Sequence, residues 1–119
     1  MKVRDKFFED MATLMDYWTQ KASESLTDES ADLVWTDNPE SFRNAQRAGQ
    51  KGALARKDVE IALAECFRGL AVSFLTIIDG GTKLAEEARI QLIDEEGSSL
   101  GEGLHDAFVE HLLDTGRLE

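Results

Sequence analysis

Residues 69–81 read GLAVSFLTIIDGG and form the longest apolar run of the chain. The run ends abruptly in Asp79-Gly80-Gly81, and glycines that directly follow an apolar helical segment are typical of a helix C-terminus. Asp58 is a suitable capping residue upstream, so the sequence predicts a helix over about residues 58–78. After Arg68 this helix is apolar nearly all round, which predicts a central helix covered on several sides.

Two residues inside this helix have structural interpretations. Gly69 lowers helix stability in mid-helix, and it predicts the close approach of another helix at that point. Cys66 is the only cysteine of the chain and lies within the apolar pattern, which favours a small core residue over a nucleophile. A single cysteine also excludes an internal disulfide framework and favours a reducing, cytoplasmic compartment.

Helical spacing predicts further helices on both sides of this central one. The first covers residues 3–24, with a core face at Phe7, Met11, Leu14, Met15 and Trp18. A weaker helix starts at Asn38-Pro39, with the asparagine as N-cap and the proline at the first helical position. The last helix covers about residues 103–114, with a shared apolar face at Leu104, Phe108 and Leu112.

Residues 89–100 give the only β signal. Residues 89–93 read RIQLI, Asp94-Glu95-Glu96-Gly97 is a turn, and residues 98–100 can form the return strand of a short β-hairpin. The sequence therefore predicts a mainly α fold (α+β with a minor hairpin). It consists of one domain over residues 1–119, with two long helices, the hairpin and a C-terminal helix.

The net charge of −11, from 24 acidic and 13 basic residues, is the main global feature. A negative surface disfavours nucleic acid and anionic membranes as partners, and it suits a basic protein partner. The central apolar run is also shorter than a membrane span. We therefore expect a cytoplasmic protein with a protein partner, no membrane association and no nucleic-acid ligand.

The basic residues are concentrated in residues 41–57, which carry five of them and no acid. Arg43, Arg47 and Lys51 are spaced four apart, so they align on one helix face. One interpretation is an internal complement to the acidic remainder of the chain. The other is a binding surface for a phosphate, a nucleic acid or the acidic face of a second copy. The second interpretation includes a homodimer.

The acidic residues are densest after residue 78, where residues 79–119 hold eleven acids and three bases. Asp106, Glu110 and Asp114 recur at every fourth position of the last helix, so we name them the carboxylate stripe. Like charges at this spacing repel one another and have no lysine partners within the helix. The stripe is either a solvated face or a docking surface for a basic partner.

The sequence contains no complete motif for catalysis or for metal or cofactor binding. Glu102-Gly-Leu-His105 spells Glu-x-x-His, but a di-iron bundle needs this motif twice, with two further glutamates. His-Glu-x-x-His, Cys-x-x-Cys, Gly-x-Ser-x-Gly and a phosphate-binding glycine loop do not occur in the sequence. His105 and His111 are interpreted as core or boundary histidines bonded to backbone carbonyls. We therefore predict no catalytic residue, no metal and no cofactor.

Two separate segments resemble a known group of proteins. Residues 69–80 read GLAVSFLTIIDG and residues 101–108 read GEGLHDAF. This pair is similar to small, uncharacterised bacterial proteins in which a helix reading GLAFSxLxxLDG precedes a GxxLHxxF helix. The resemblance implies a shared helical scaffold and no particular activity. It also implies that Asp79 at the end of one helix meets His105 at the start of the other, as a structural latch.

These observations lead to two hypotheses about function. The first is a small acidic, non-catalytic binding protein, such as an immunity or inhibitor protein that covers a basic toxin or nuclease surface. A related version is an acidic secretion chaperone that binds one effector as a dimer. The alternative is a small enzyme or a ligand- or metal-binding domain that uses His105 with Asp79 and nearby carboxylates.

Overall fold

The computed structural model describes residues 3–50 and 55–119, and these residues are mainly helical. Helix α1 spans Val3–Thr27, α2 spans Pro39–Gln50, α3 spans Arg56–Ile78 and α4 spans Leu104–Asp114, with a short 3-10 helix at Lys83–Glu86. The mainly α fold class is therefore confirmed. The predicted start of the second helix at Asn38-Pro39 is also present, since α2 begins at Pro39.

The sequence Asp79-Gly80-Gly81 ends α3 by a specific hydrogen-bond pattern. The Gly80 N–H donates to the carbonyl of Ile77 at 3.1 Å, and the Gly81 N–H donates to the carbonyl of Thr76 at 2.9 Å. Together these two bonds form a Schellman motif, which satisfies carbonyls of the last helical turn. Gly80 has φ of 83°, a left-handed conformation that glycine adopts without steric cost.

The predicted β-hairpin near residues 89–100 is wrong. This segment contains one isolated antiparallel bridge, between Ile93 and Ser99, and no strand. The Asp94 carboxylate closes the intervening turn by accepting two backbone N–H groups at 2.9 Å each. A two-stranded ribbon needs a packed apolar face for stability. Ile90 and Ile93 are 42% and 58% exposed, so that face is missing.

The chain divides into two compact units. Unit 1 comprises Met1–Leu14 and Arg68–Glu119, and unit 2 comprises Met15–Phe67. Helices α1 and α3 each contribute residues to both units. The prediction of a single domain over residues 1–119 stays a prediction.

The core of unit 1 is built on α4. Leu104 and Phe108 are fully buried and Leu112 is 3% exposed, which confirms the predicted apolar face of this helix. The ring of Phe108 lies 5.4 Å from the ring of Phe8, centroid to centroid. Phe8 belongs to α1 and is 1% exposed, so it is a principal partner of α4 in this core.

The predicted core face of α1 is wrong at two of its positions. Leu14 and Trp18 are 58% and 42% exposed, whereas Phe8 and Ala12 are each 1% exposed. Phe8 directly follows Phe7, which is one of the predicted core residues. Both faces of α1 carry apolar residues, so helical spacing alone does not determine which of them packs inward.

Unit 2 has a core with a large polar component. Gln46 and Ser25 are 2% and 1% exposed, and the Gln46 side-chain amide donates to the backbone carbonyl of Ser25 at 2.8 Å. Arg43 donates to the Gln46 side-chain oxygen at 3.0 Å. Beside this network, Trp35 stacks edge-to-face between Trp18 and Phe42. Because the buried Gln46 amide is hydrogen-bonded, its burial leaves no polar group of this side chain without a partner.

Helix α3 is much less covered than its sequence predicts. Leu75 is its only buried residue among those described, and Cys66 is exposed. A Cβ added to Gly69 would meet no heavy atom within 4 Å. Three predictions are therefore wrong for the residues that the structure describes. They are the covered central helix, the core cysteine and the close helix contact at Gly69.

The segment Arg56–Glu86, which contains α3, is long and apolar enough in composition to cross a membrane. Only 11% of its apolar window is buried. Length and composition are weak evidence for a span, because soluble helices pass the same test. The expectation of a cytoplasmic protein without membrane association stays a prediction.

Candidate functional site

Asp79 and His105 lie in contact within unit 1, as the resemblance implies. Asp79 directly follows α3, and its carboxylate accepts the backbone N–H groups of Leu104 at 2.9 Å and His105 at 2.8 Å. The carboxylate also bonds Nδ1 of the His105 ring. The first residue before α4 is Gly103, which has no side chain to cap the helix. Asp79 therefore supplies the N-cap of α4 from a distant part of the sequence.

The two side chains shift one another's protonation. Burial is the largest single influence on the pKa of Asp79, and it raises this pKa. Hydrogen bonds from the His105 N–H, the His105 ring and the Leu104 N–H act in the opposite direction. Together they outweigh burial, so the pKa of Asp79 is lowered from 3.8. The hydrogen bond to Asp79 raises the pKa of His105 above 6.5, with partial burial opposing and Asp106 adding. The pair therefore favours a carboxylate and an imidazolium.

The stability of the protein should depend on pH through this pair. Because the folded-state pKa of His105 is raised, its contribution is complete below pH 6.5 and is lost as the pH rises through the folded-state value. Because the folded-state pKa of Asp79 is lowered, its contribution is present above pH 3.8 and is lost as the pH falls through the folded-state value. The contribution of the pair is therefore greatest between these limits.

Urea unfolding at a series of pH values measures this dependence. The wild-type chain should lose stability as the pH rises above 6.5, because the imidazolium of His105 then loses its proton. The His105→Gln variant should lose less over the same range, because it has no imidazolium to deprotonate. Equal alkaline losses in the two proteins would contradict the prediction.

A surface hollow of about 390 Å³ adjoins this pair in unit 1. Its lining includes Asp79 and His105 together with Arg89, Gln91 and Glu102. An aspartate that accepts from Nδ1 of a histidine holds the ring in one orientation and leaves Nε2 for other partners. In the structure Nε2 lies 3.5 Å from a carboxylate oxygen of Asp106. The ring of His105 can therefore hold a proton between two carboxylates, those of Asp79 and Asp106.

His111 also pairs with a carboxylate. Its Nε2 lies 2.9 Å from a carboxylate oxygen of Glu9, and Arg117 donates to the other oxygen of Glu9 at 2.8 Å. The hydrogen bond from Arg117, followed by that from His111, lowers the pKa of Glu9. The interpretation of both histidines as bonded to backbone carbonyls is wrong, because each one has a carboxylate partner from a distant segment.

The carboxylate stripe is solvated. Asp106, Glu110 and Asp114 are all exposed, on the side of α4 away from its buried leucines and phenylalanine. The Asp106 side chain is 88% exposed. Of the eleven acids in residues 79–119, all but Asp79 and Asp94 are exposed. The structure thus presents a strongly negative surface on unit 1, and the role of the stripe in binding stays a prediction.

The basic segment is partly used inside unit 2. Arg43 is half-buried and donates to the backbone carbonyls of Glu29 and Ala31, so it holds the turn after α1. Arg56 pairs with Glu24 at 2.8 Å. Arg47 is exposed and contacts a side-chain oxygen of Asn44 at 3.0 Å.

The internal-complement interpretation is supported for three basic residues that pair with acids, namely Arg47 with Glu40, Arg56 with Glu24 and Lys57 with Glu60. Arg47 alone of the three aligned residues is described as exposed, and Lys51 lies outside the described residues. The assignment of Arg43, Arg47 and Lys51 to a binding surface stays a prediction.

Potential metal ligands do not cluster in the part of the chain that the structure describes. Residues 3–50 and 55–119 contain no group of three or more histidine, cysteine, aspartate or glutamate side chains that could hold a metal ion. Comparison with protein-family models, with curated proteins and with solved structures found no match for this chain. The resemblance of residues 69–80 and 101–108 to small bacterial proteins stays a prediction.

Proposed function

We propose that this protein is a small acidic, non-catalytic binding protein that captures a basic protein partner, in the manner of an immunity or inhibitor protein. The observation that supports this proposal is the solvated carboxylate stripe of α4, within residues 79–119, where nine of the eleven acids are exposed. Such a surface attracts a basic protein over several ångströms and speeds encounter, and salt weakens the attraction.

The packing of α4 holds the stripe in place. Leu104, Phe108 and Leu112 anchor one side of the helix in the core of unit 1. Residues four apart on a helix are neighbours, so the three carboxylates follow one line along the opposite side. Because the helix is fixed by its buried side, a partner meets a preorganised row of charges and loses less binding energy to ordering.

A capture experiment with charge-reversal variants tests the proposal. The test variant carries Asp106→Lys, Glu110→Lys and Asp114→Lys. The control variant carries Asp10→Lys, Asp37→Lys and Glu95→Lys, which change the net charge equally at three other exposed positions. Each protein is immobilised and exposed to native bacterial lysate at low and at high salt.

The wild-type and control proteins should retain the same basic protein at low salt and release it at high salt. The test variant should retain at least about tenfold less, because the charges that steer and orient the partner are reversed. Retention of no basic protein by the wild type, or equal retention by the test variant, would refute the proposed role of the stripe.

A second candidate function is supported by the hollow beside Asp79 and His105. Asp79 and Glu102 line it with Arg89, Gln91 and the histidine, so a small anionic ligand would bind there through Arg89. Titration with inorganic phosphate, followed by NMR of the His105 ring, tests this candidate. If phosphate binds there, the chemical shift of the His105 ring should change and saturate as phosphate is added, and this change should be lost in Arg89→Gln. A chemical shift that changes without saturating would contradict phosphate binding.

Metal analysis of protein purified without a histidine tag tests the alternative in which this site binds a metal.

A further inference from the structure

Four aromatic side chains of unit 2 pack edge-to-face in one continuous row, which we name the aromatic row. Its members in order of contact are Tyr17, Trp18, Trp35 and Phe42, with ring centroids 5.5, 5.4 and 5.2 Å apart. Tyr17, Trp18 and Trp35 are 54%, 42% and 39% exposed, and Val34, which precedes Trp35, is 89% exposed. Large apolar side chains that are exposed as a group are typical of an interaction surface.

Unit 2 holds the aromatic row in place. The Trp35 ring donates from Nε1 to the Ser25 hydroxyl at 3.3 Å, and Ser25 is 1% exposed. The turn that carries Trp35 is anchored by Leu33, which is 7% exposed and whose carbonyl accepts the N–H of Thr36 at 3.2 Å. Because tyrosine and tryptophan have few rotatable bonds and these rings already support one another, little conformational entropy is lost when a partner binds them.

The charge around the aromatic row is negative. Residues 15–42, which carry all four rings, hold seven acids and one base, Lys21. Trp35 lies between Asp32 and Asp37, which are both exposed and within three residues of it, or at most about 11 Å of chain. This distance is close to the screening length at physiological salt, so the two carboxylates act on a charge that is bound at the ring.

The arginines of unit 2 have oxygen partners within the unit. Arg43 donates to two backbone carbonyls of the turn after α1. Arg47 pairs with Glu40, and Arg56 pairs with Glu24. The carboxylates of Asp32 and Asp37 are not among these partners, so an arginine for the aromatic row would have to come from another molecule.

We propose that the aromatic row is a docking surface for an arginine-rich segment of a basic protein. The guanidinium groups of the segment stack on the exposed rings, and the flanking carboxylates attract their charge. Guanidinium suits this surface better than ammonium, because it is planar, weakly hydrated and stacks on aromatic faces. The proposal rests on the proposed function for the class of partner, and it adds a contact surface on unit 2 to the carboxylate stripe of unit 1.

A lipid surface is a poorer occupant of the aromatic row. Tyrosine and tryptophan also occur where proteins meet a membrane interface, but such surfaces carry lysine and arginine beside the apolar residues. Residues 15–42 have the opposite charge, with seven acids and one base. Anionic headgroups would therefore be repelled.

Calorimetric titration at low salt with two synthetic peptides of equal length and equal charge tests the proposal. One peptide consists of Gly-Arg repeats and the other of Gly-Lys repeats. The wild-type protein should bind the arginine peptide about three- to fivefold more tightly. Non-specific attraction to an acidic protein does not produce this preference, because the two peptides carry the same charge. A peptide of Gly-Glu repeats should not bind.

Variants of the aromatic row assign the preference to its rings. Trp18→Leu and Trp35→Leu keep an apolar side chain without a ring, so each should bring the two affinities to within about twofold of one another. Trp18→Phe keeps a ring and should keep the preference. Leu70→Ala is the control, since Leu70 is 58% exposed and belongs to unit 1, and it should change neither affinity.

Far-UV circular dichroism checks that each variant keeps its helical content. If Trp35→Leu loses it, Trp18→Leu decides the test, because Trp18 lies on an exposed part of α1. Equal affinity of the wild type for the two basic peptides, or a preference that survives in Trp18→Leu, would overturn the proposal. Binding of the wild type to phosphatidylcholine vesicles would also overturn it, in favour of a lipid surface.

The same peptides separate this proposal from the proposed role of the carboxylate stripe. The variant with lysines at positions 106, 110 and 114 should keep the arginine preference, because its aromatic row is intact. Capture of a basic protein from lysate without an arginine preference would refute the docking surface and leave the proposed function in place. An arginine preference without such capture would support the docking surface and refute the role of the stripe.

Discussion

Replacing Asp79 with alanine should lower the free energy of unfolding by about 2–4 kcal/mol. The substitution removes the side chain that caps the start of α4 and leaves the backbone N–H groups of Leu104 and His105 without their acceptor. It also removes the carboxylate that bonds the His105 ring. Urea unfolding followed by circular dichroism measures the loss.

Two related variants separate the contributions to this loss. Asp79→Asn keeps one acceptor oxygen of similar shape, so its cost should be smaller than that of alanine. His105→Ala should cost less than Asp79→Ala, because the backbone N–H of residue 105 still donates to Asp79. If His105→Ala left stability unchanged, the latch would be refuted. If it cost more than Asp79→Ala, capping would not be the main role of Asp79.

Replacing Phe108 with alanine should lower the free energy of unfolding by about 3–5 kcal/mol, the largest loss that we expect from any single substitution discussed. Phe108 is fully buried, and its ring packs on that of Phe8. Alanine removes the transfer energy of the ring and leaves a cavity between α1 and α4, which the surrounding residues of unit 1 fill only in part.

Two controls make the Phe108 result specific to core packing. Phe108→Leu keeps most of the buried volume and should cost less than about 1.5 kcal/mol. Leu113→Ala changes a neighbouring residue of α4 that is 48% exposed, and it should cost less than about 1 kcal/mol. A loss in Phe108→Ala no greater than that in Leu113→Ala would contradict the placement of Phe108 in the core.

The ends of the helices could be predicted from sequence because local chemistry determines them. Asn38-Pro39 starts α2, and Asp79-Gly80-Gly81 ends α3 by hydrogen bonds within six residues. The face of α4 could also be predicted, because its apolar residues occupy one side only and its acids occupy the other. Each of these features depends on a short stretch of chain, so spacing and residue type were sufficient.

The candidate site could be predicted only in part. The pairing of Asp79 with His105 was expected from a resemblance of two segments, and the contact is present. The pairing of His111 with Glu9 joins residues 102 positions apart, and no motif marks it. The buried amide of Gln46 was missed for the same reason, since its partner Ser25 belongs to another helix.

For this protein, the sequence by itself determined the helical fold class, the start of α2, the end of α3, the inward face of α4 and the strongly acidic segment after residue 78. Tertiary structure alone decided which sides of α1 and α3 are covered and that His111 meets Glu9. The physical reason is that both long helices carry apolar residues on more than one side. Helical periodicity then allows several packings, and only the neighbouring elements select one of them.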